Sequence, residues 1–279
     1  MTSRPNLGIL CGSALLTLAL PSTAATTASD DFSSGTFPAT GSGDWAGDWA
    51  TAGTGTITTS AASGALVVTR EATFNNNSMT VGRQYSANTT DTLTISFDFT
   101  IDDFATSGIS GAQDRFALFG SSAAAGGSTN NNSWLIFGGQ DISGLDGSLP
   151  ADGGNWKFHN GTKGGNLENG GSGENSFINS GIALVLGDTY RFTVLDDPSA
   201  ENYIVSVDNL DDAAAGFTSG TLGYRASAGT NPFINFGARI SANNDTAGFT
   251  IDNVSIVPEP SSMLLSCFGA LALFRRRRS

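Results

Sequence analysis

The chain has 279 residues, with 13 basic and 25 acidic side chains and a formal net charge of −12. So acidic a surface repels the phosphate backbone, which excludes nucleic acid as a partner. Its two cysteines, Cys11 and Cys267, lie in apolar segments near the two ends, so the body between them has no disulfide, thiolate nucleophile or cysteine-ligated zinc.

At the amino end Arg4 supplies a positive charge, residues 7–20 form an apolar run, and Ser22, Thr23, Ala24 and Ala25 are small. This order predicts a secretory signal peptide over residues 1–25, delivered to the Sec translocon. Cys11 does not mark a lipoprotein, because Leu10 stands where a small residue is required and the cysteine lies too early in the apolar run.

Residues 26–257 are of a length for one sizeable domain, and no repeat of 20–50 residues divides them. Of the basic residues, Arg4, Arg275, Arg276, Arg277 and Arg278 lie outside it, and of the acids only Glu259, leaving 8 basic against 24 acidic and a net charge of −16. Long helical periodicity is absent, and Gly, Ser, Thr, Asn and Ala dominate, a composition of short strands and polar turns. Strands are expected at 55–59, 65–70 and 78–85. The clearest is 93–101, where Leu93, Ile95, Phe97, Phe99 and Ile101 alternate with polar residues, one face for a core and one for water. Further strands are expected at 115–119, 134–137, 156–159 and 182–186, the last joined to 189–195 by a turn at Gly187-Asp188. Tyr190, Phe192 and Val194 alternate, as do Tyr203, Val205 and Val207, and the turn formers at 196–202 between them predict a hairpin. Strands at 221–225, 233–240 and 249–256 complete the set. In the last, the apolar phase is odd at Phe249 and Ile251 but even at Val254 and Ile256, which predicts a β-bulge near Asp252-Asn253. The polar stretches 121–132 and 160–175 read as long loops within the domain.

The chain closes on Pro258, Glu259 and Pro260, an apolar segment at 261–274, and Arg275, Arg276, Arg277 and Arg278. As a helix the apolar segment spans roughly 21 Å, short of the ~30 Å hydrocarbon core, and the arginines fix its end on the cytoplasmic side. The prolines keep the preceding backbone extended and outside the helix. These three parts, in this order, resemble the PEP-CTERM sorting signal of Gram-negative bacteria that make exopolysaccharide. The resemblance implies a sorting tail at 258–279, transient membrane insertion, recognition by an exosortase-type processing enzyme, and delivery to the cell envelope, at the outer surface or in the extracellular matrix.

The expected architecture is all-β, a two-sheet antiparallel sandwich, flanked by the signal peptide and a short C-terminal hydrophobic helix. With Asp30-Asp31-Phe32 at its opening, the paired strands over 190–207 and Phe249-Thr250-Ile251-Asp252-Asn253-Val254 at its close, the body resembles the concanavalin A-like lectin/glucanase (LamG-like) jelly roll.

Catalytic residues are not expected. Retaining glucanases place two carboxylates on one strand about 5–5.5 Å apart, and Glu71, Glu168, Glu174 and Glu201 have no such spacing. Asp102-Asp103 are adjacent on a strand and should face opposite ways. His159, the single histidine, has neither a partner for zinc nor a Gly-x-Ser-x-Gly elbow. No cofactor is expected; calcium alone is open, through Asp141, Asp146, Asp152, Asn155, Asn243, Asn244 and Asp245, residues that serve equally as turn formers. Trp45 and Trp49, in the near-duplicate Gly43-Asp44-Trp45-Ala46 and Gly47-Asp48-Trp49-Ala50, and Trp156 are the candidate glycan-binding residues, with core packing as the competing role. The expected protein is a non-enzymatic surface or matrix sandwich in glycan contact or adhesion. The alternatives are a divergent polysaccharide hydrolase and a structural matrix protein with no defined ligand.

Overall fold

The computed structural model describes residues 28–35, 42–43, 45–53, 56–61, 64–71, 77–85, 91–105, 115–121, 132–139, 154–161, 177–225, 233–240 and 246–259. The expected signal peptide, the loops within 122–131 and 162–176, and the tail from Pro260 lie outside the described residues.

In chain order the strands are β1 (Ala28–Asp30), β2 (Ser42–Gly43), β3 (Ala50–Gly53), β4 (Thr56–Ser60), β5 (Leu66–Glu71) and β6 (Asn77–Gln84). They continue with β7 (Leu93–Ala105), β8 (Arg115–Ser121), β9 (Asn132–Gly139), β10 (Asn155–His159), β11 (Phe177–Ala183) and β12 (Thr189–Asp197). The last are β13 (Asn202–Asn209), β14 (Gly216–Thr218), β15 (Leu222–Gly223), β16 (Phe233–Ile240) and β17 (Thr246–Pro258). Among the described residues there is no helix, so none is long and apolar enough to cross a membrane.

These strands form the expected antiparallel two-sheet sandwich. A ten-stranded sheet runs β14-β13-β12-β7-β17-β1-β2, with β5 also on β17, β4 on β5 and β15 on β13. A seven-stranded sheet runs β11-β10-β9-β8-β16-β6-β3. Aromatic rings from both sheets interlock between them. Phe97 meets Phe236 edge-on at 4.9 Å, Phe99 meets Phe116 at 5.4 Å and Trp156 at 5.8 Å, and Trp156 meets Phe192 at 5.0 Å. Each such pair adds about 0.5–1.5 kcal/mol beyond its buried area, which is how a cysteine-free body holds its sheets together.

The sheets differ in their outer faces. On the ten-stranded sheet, Thr94, Ser96, Thr100, Thr193, Ser206 and Thr250 are half-exposed between the inward apolar residues. The middle of the seven-stranded sheet is buried on both sides: Phe116, Leu118, Trp134 and Ile136 of β8 and β9 face the sandwich core, while Ala117, Phe119, Leu135 and Phe137 form a second buried cluster.

The β12–β13 hairpin pairs from Tyr190–Asn209 to Asp197–Asn202, and the Asp197 carboxylate caps its turn by accepting from Ser199 N at 3.1 Å and Ala200 N at 3.0 Å. The expected bulge in β17 is present between Asp252 and Ser255, with Asn253 at φ +51°. The turn at Gly187-Asp188 corrects an expectation. β11 lies in the seven-stranded sheet and β12 in the ten-stranded one, so residues 184–188 carry the chain between sheets and close no hairpin. Gly187, at φ +90°, donates its N–H to Ile101 O at 2.7 Å as the chain crosses.

Candidate functional sites

The last strand carries the start of the C-terminal motif. β17 is interior to its sheet, paired to β7 on one side and to β5 and β1 on the other. Its pairing with β7 continues through Val257–Thr94 to Pro258–Leu93. Glu259 follows in the same line: its N–H donates to Thr92 O at 2.8 Å, and its carboxylate accepts the Thr94 hydroxyl. Pro258 and Glu259 are therefore the end of a sheet. Pro260, Arg275, Arg276, Arg277 and Arg278 lie outside the described residues.

Burial decides between the two roles expected of Trp49 and Trp156 in favour of core packing. Trp49 is 2% exposed and Trp156 is fully buried among Phe99, Tyr190 and Phe192, so neither ring has a face free for a sugar. Trp45 is half-buried, its ring covered by the Arg83 guanidinium 4.3 Å from the centroid and its Nε1 donating to Ser29 O at 3.0 Å. Sequence reasoning missed what the two rings surround. The Asp30 carboxylate accepts from Arg83 Nη1 at 2.7 Å, Trp49 Nε1 at 2.9 Å and Phe32 N at 2.9 Å. Arg83 Nε donates to Gly47 O at 2.7 Å. This ion pair ties β1 of one sheet to β6 of the other, both side chains 2% exposed. Burial pulls the Arg83 pKa down and the Asp30 charge opposes that. The repeated Gly-Asp-Trp-Ala is thus a seam between the sheets, and its signal was the inward position of Arg83 on an otherwise apolar strand face.

A second buried polar group occupies the end of the sandwich where Leu93, Asp196, Tyr203 and Pro258 lie in one row across the sheet. Asp196 continues the inward phase of Tyr190, Phe192 and Val194, and is fully buried. One carboxylate oxygen accepts the Tyr224 hydroxyl, and the other has no hydrogen-bond partner. Burial pushes its pKa up to about 7, with the Tyr224 hydrogen bond opposing. Tyr203 donates to His159 O, and burial raises the Tyr203 hydroxyl. His159 is buried too, and burial with the nearby Arg225 charge lowers it to about 4, so its ring is neutral at pH 7. Asp196 is thus a buried carboxyl that holds its proton to near pH 7.

Asp102 and Asp103 depart from expectation. A register shift where Gly248 pairs with Asp103 and Phe249 with Ile101 bulges β7 at Asp102. Both Cβ atoms then lie over the same glycine, 3.5 and 3.4 Å from where a Cβ on Gly248 would stand. The carboxylates share one face after all, Asp102 accepting the Thr250 hydroxyl at 2.6 Å and Asp103 that of Thr246.

Of the calcium candidates, Asn155 donates its amide to Asn179 Oδ1 at 3.1 Å, while Asp141, Asp146, Asp152, Asn243, Asn244 and Asp245 lie outside the described residues. Among the described residues no three His, Cys, Asp or Glu side chains gather to hold a metal ion.

Residues 257–278 match the PEP-CTERM protein-sorting motif, so the chain carries this motif directly behind its sandwich. No curated protein matches the chain. Among solved structures it is similar to a protein of unknown function from Shewanella oneidensis MR-1, at 14% identity over 93% of this chain and 98% of that one, with a TM-score of 0.49. It is similar to peanut lectin at 12% identity, over 85% of this chain and 99% of that one, with a TM-score of 0.48. It is also similar to the catalytic domain of a glycoside hydrolase family 131 protein from Coprinopsis cinerea, at 12% identity over 70% of each chain, with a TM-score of 0.42.

Proposed function

We propose that this is a non-enzymatic envelope protein of a Gram-negative bacterium, exported as a sandwich and sorted to the outer surface or extracellular matrix. In this reading residues 1–25 are a signal peptide read by the Sec translocon, 26–257 are the mature domain, and 258–279 are the sorting tail. The apolar stretch 261–274 enters the membrane transiently, with Arg275, Arg276, Arg277 and Arg278 holding its far end in the cytoplasm. An exosortase-type enzyme breaks a peptide bond near Pro258; the acyl group passes to water or an amine, and the tail leaves with a new amino terminus. The observation that carries the reading is the motif match over 257–278.

At its destination the domain contacts matrix polysaccharide. The half-exposed Ser and Thr rows on the ten-stranded sheet, with Asp208 and Asp252 among them, support hydrogen bonding to sugar hydroxyls, weak per site and reinforced by many sites along a polymer. Anionic polysaccharide needs bridging calcium to approach a body of this charge. The test is retention of the purified mature domain on its native matrix polysaccharide, with and without calcium. Retention that falls when Thr94, Ser96 and Thr193 are replaced by Val supports glycan contact, and no retention in either condition removes it.

One observation favours a second reading, a polysaccharide hydrolase: the bulge that brings Asp102 and Asp103 to one face. Turnover of matrix polysaccharide that disappears in Asp102→Asn would establish it.

A further inference from the structure

We propose that the folded sandwich masks its own sorting motif, so that tail processing acts on a chain whose β17 end has peeled away or has not yet zipped. The inference rests on the sorting reading above and adds a regulation to it.

Three observations carry it. The first is pairing. Enzymes that read an extended peptide add it as a strand and hydrogen-bond its main chain. The main chain here is already occupied, since Pro258 is in register with Leu93 and the Glu259 N–H is held by Thr92 O at 2.8 Å. The second is the side chain that distinguishes the motif between its prolines. The Glu259 carboxylate accepts the Thr94 hydroxyl, so the one charged side chain of the Pro-Glu-Pro is engaged inside the domain. The third is distance. Only Pro260 separates Glu259 from the apolar stretch beginning at Ser261, and two residues reach at most about 7 Å. With Ser261 at the membrane boundary, the end of the sheet is held against the bilayer with no room for an enzyme between them.

β17 can open from this end without dissolving the core. Ile256 pairs with Ala28 of β1 and with Ile95 of β7, both inward residues, whereas beyond it Val257 and Glu259 are exposed and Pro258 half-buried. Releasing residues 257–259 therefore breaks the Glu259 latch and the last pairs with β7 while Ile256 stays seated. Ends with few buried apolar contacts open at low cost, and the enzyme's apparent affinity falls by the fraction of chains in the open state.

The experiment is pulse–chase processing of the full chain in cells that carry the sorting enzyme. A Gly-Ser-Gly-Ser insertion between Val257 and Pro258 frees the motif, and Thr94→Val removes the latch hydroxyl while keeping a β-branched strand residue. The expected result is tail removal faster by about fivefold or more with the insertion and by about twofold with Thr94→Val, the scale of losing one or a few net hydrogen bonds. An unchanged rate in both overturns the masking. A Pro258→Ala/Pro260→Ala chain serves as the separate control: processing at the normal rate there overturns the sorting reading, and the inference with it. Hydrogen exchange on the solubilised full chain needs no enzyme. A protected Glu259 amide supports the latch, and exchange at the rate of a free peptide overturns the masking while leaving sorting intact.

Discussion

The ten-stranded sheet keeps one face in water, with Thr94, Ser96, Thr193 and Ser206 rising between core-facing aromatic and β-branched residues. The middle of the seven-stranded sheet hides both, Phe116 and Leu118 on one side and Ala117 and Phe119 on the other. The difference separates stability from contact. A substitution outside the core on the first sheet meets solvent, and on β8 or β9 of the second it falls in a buried cluster. The wet face also belongs to the sheet that runs directly into the sorting motif.

The most damaging way to test this division is to cut the seam. Asp30→Ala leaves the buried Arg83 guanidinium without its carboxylate and is expected to cost about 3–5 kcal/mol, read as the shift in a urea midpoint. Arg83→Met, which removes the charge and keeps much of the volume, should cost less than Asp30→Ala.

Titration of Asp196 comes next. Its folded pKa lies near 7 and above its ordinary value of 3.8, so the folded protein holds a proton the unfolded chain has lost. The protonated form's stability is fully present below about pH 4, declines as pH rises through 7, and is then lost, a change on the order of 4 kcal/mol. Denaturation midpoints of the wild type should therefore fall between about pH 4 and 7 and level off above it, and those of Asp196→Asn should stay flatter over the same window.

The two outer faces can be compared directly. Phe119→Ala, in the second cluster, is expected to cost about 3–5 kcal/mol, whereas Thr193→Ala on the wet face should cost about 1 kcal/mol or less. Equal losses would remove the distinction between the sheets. The smallest effect is expected at Arg191, whose fork donates to the two Asp98 oxygens at 2.8 Å each but whose side chain is 50% exposed. Arg191→Met should cost under about 1 kcal/mol, and that loss should shrink with added salt.

The same contrast governs what the sequence disclosed. The run 93–101 and the pairs around Phe192 and Val205 alternate because one side is wet, and period two is then visible. The phase change at Asp252-Asn253 disclosed its bulge for the same reason. Strands β8 and β9 show continuous apolar runs, which mark burial on both faces but give little sign of their ends, and both extend beyond the expected 115–119 and 134–137. The short β1, β3 and β14 have too few residues to show a period. At the candidate sites, the sorting motif was legible because it is contiguous. The Asp30–Arg83 pair joins residues 53 positions apart, so the inward phase of Arg83 pointed to a buried partner without saying which one. The shared face of Asp102 and Asp103 was hidden because it depends on a bulge set by the partner strand.

The central claim is that the ribbon ending in Pro258 and Glu259 is an export address that is read and removed. Intact-mass analysis of the protein recovered from the cell envelope and matrix tests it most directly. The account predicts a product ending near Pro258, without Arg275, Arg276, Arg277 and Arg278; a full-length chain retained inside the cell with its arginines would contradict it.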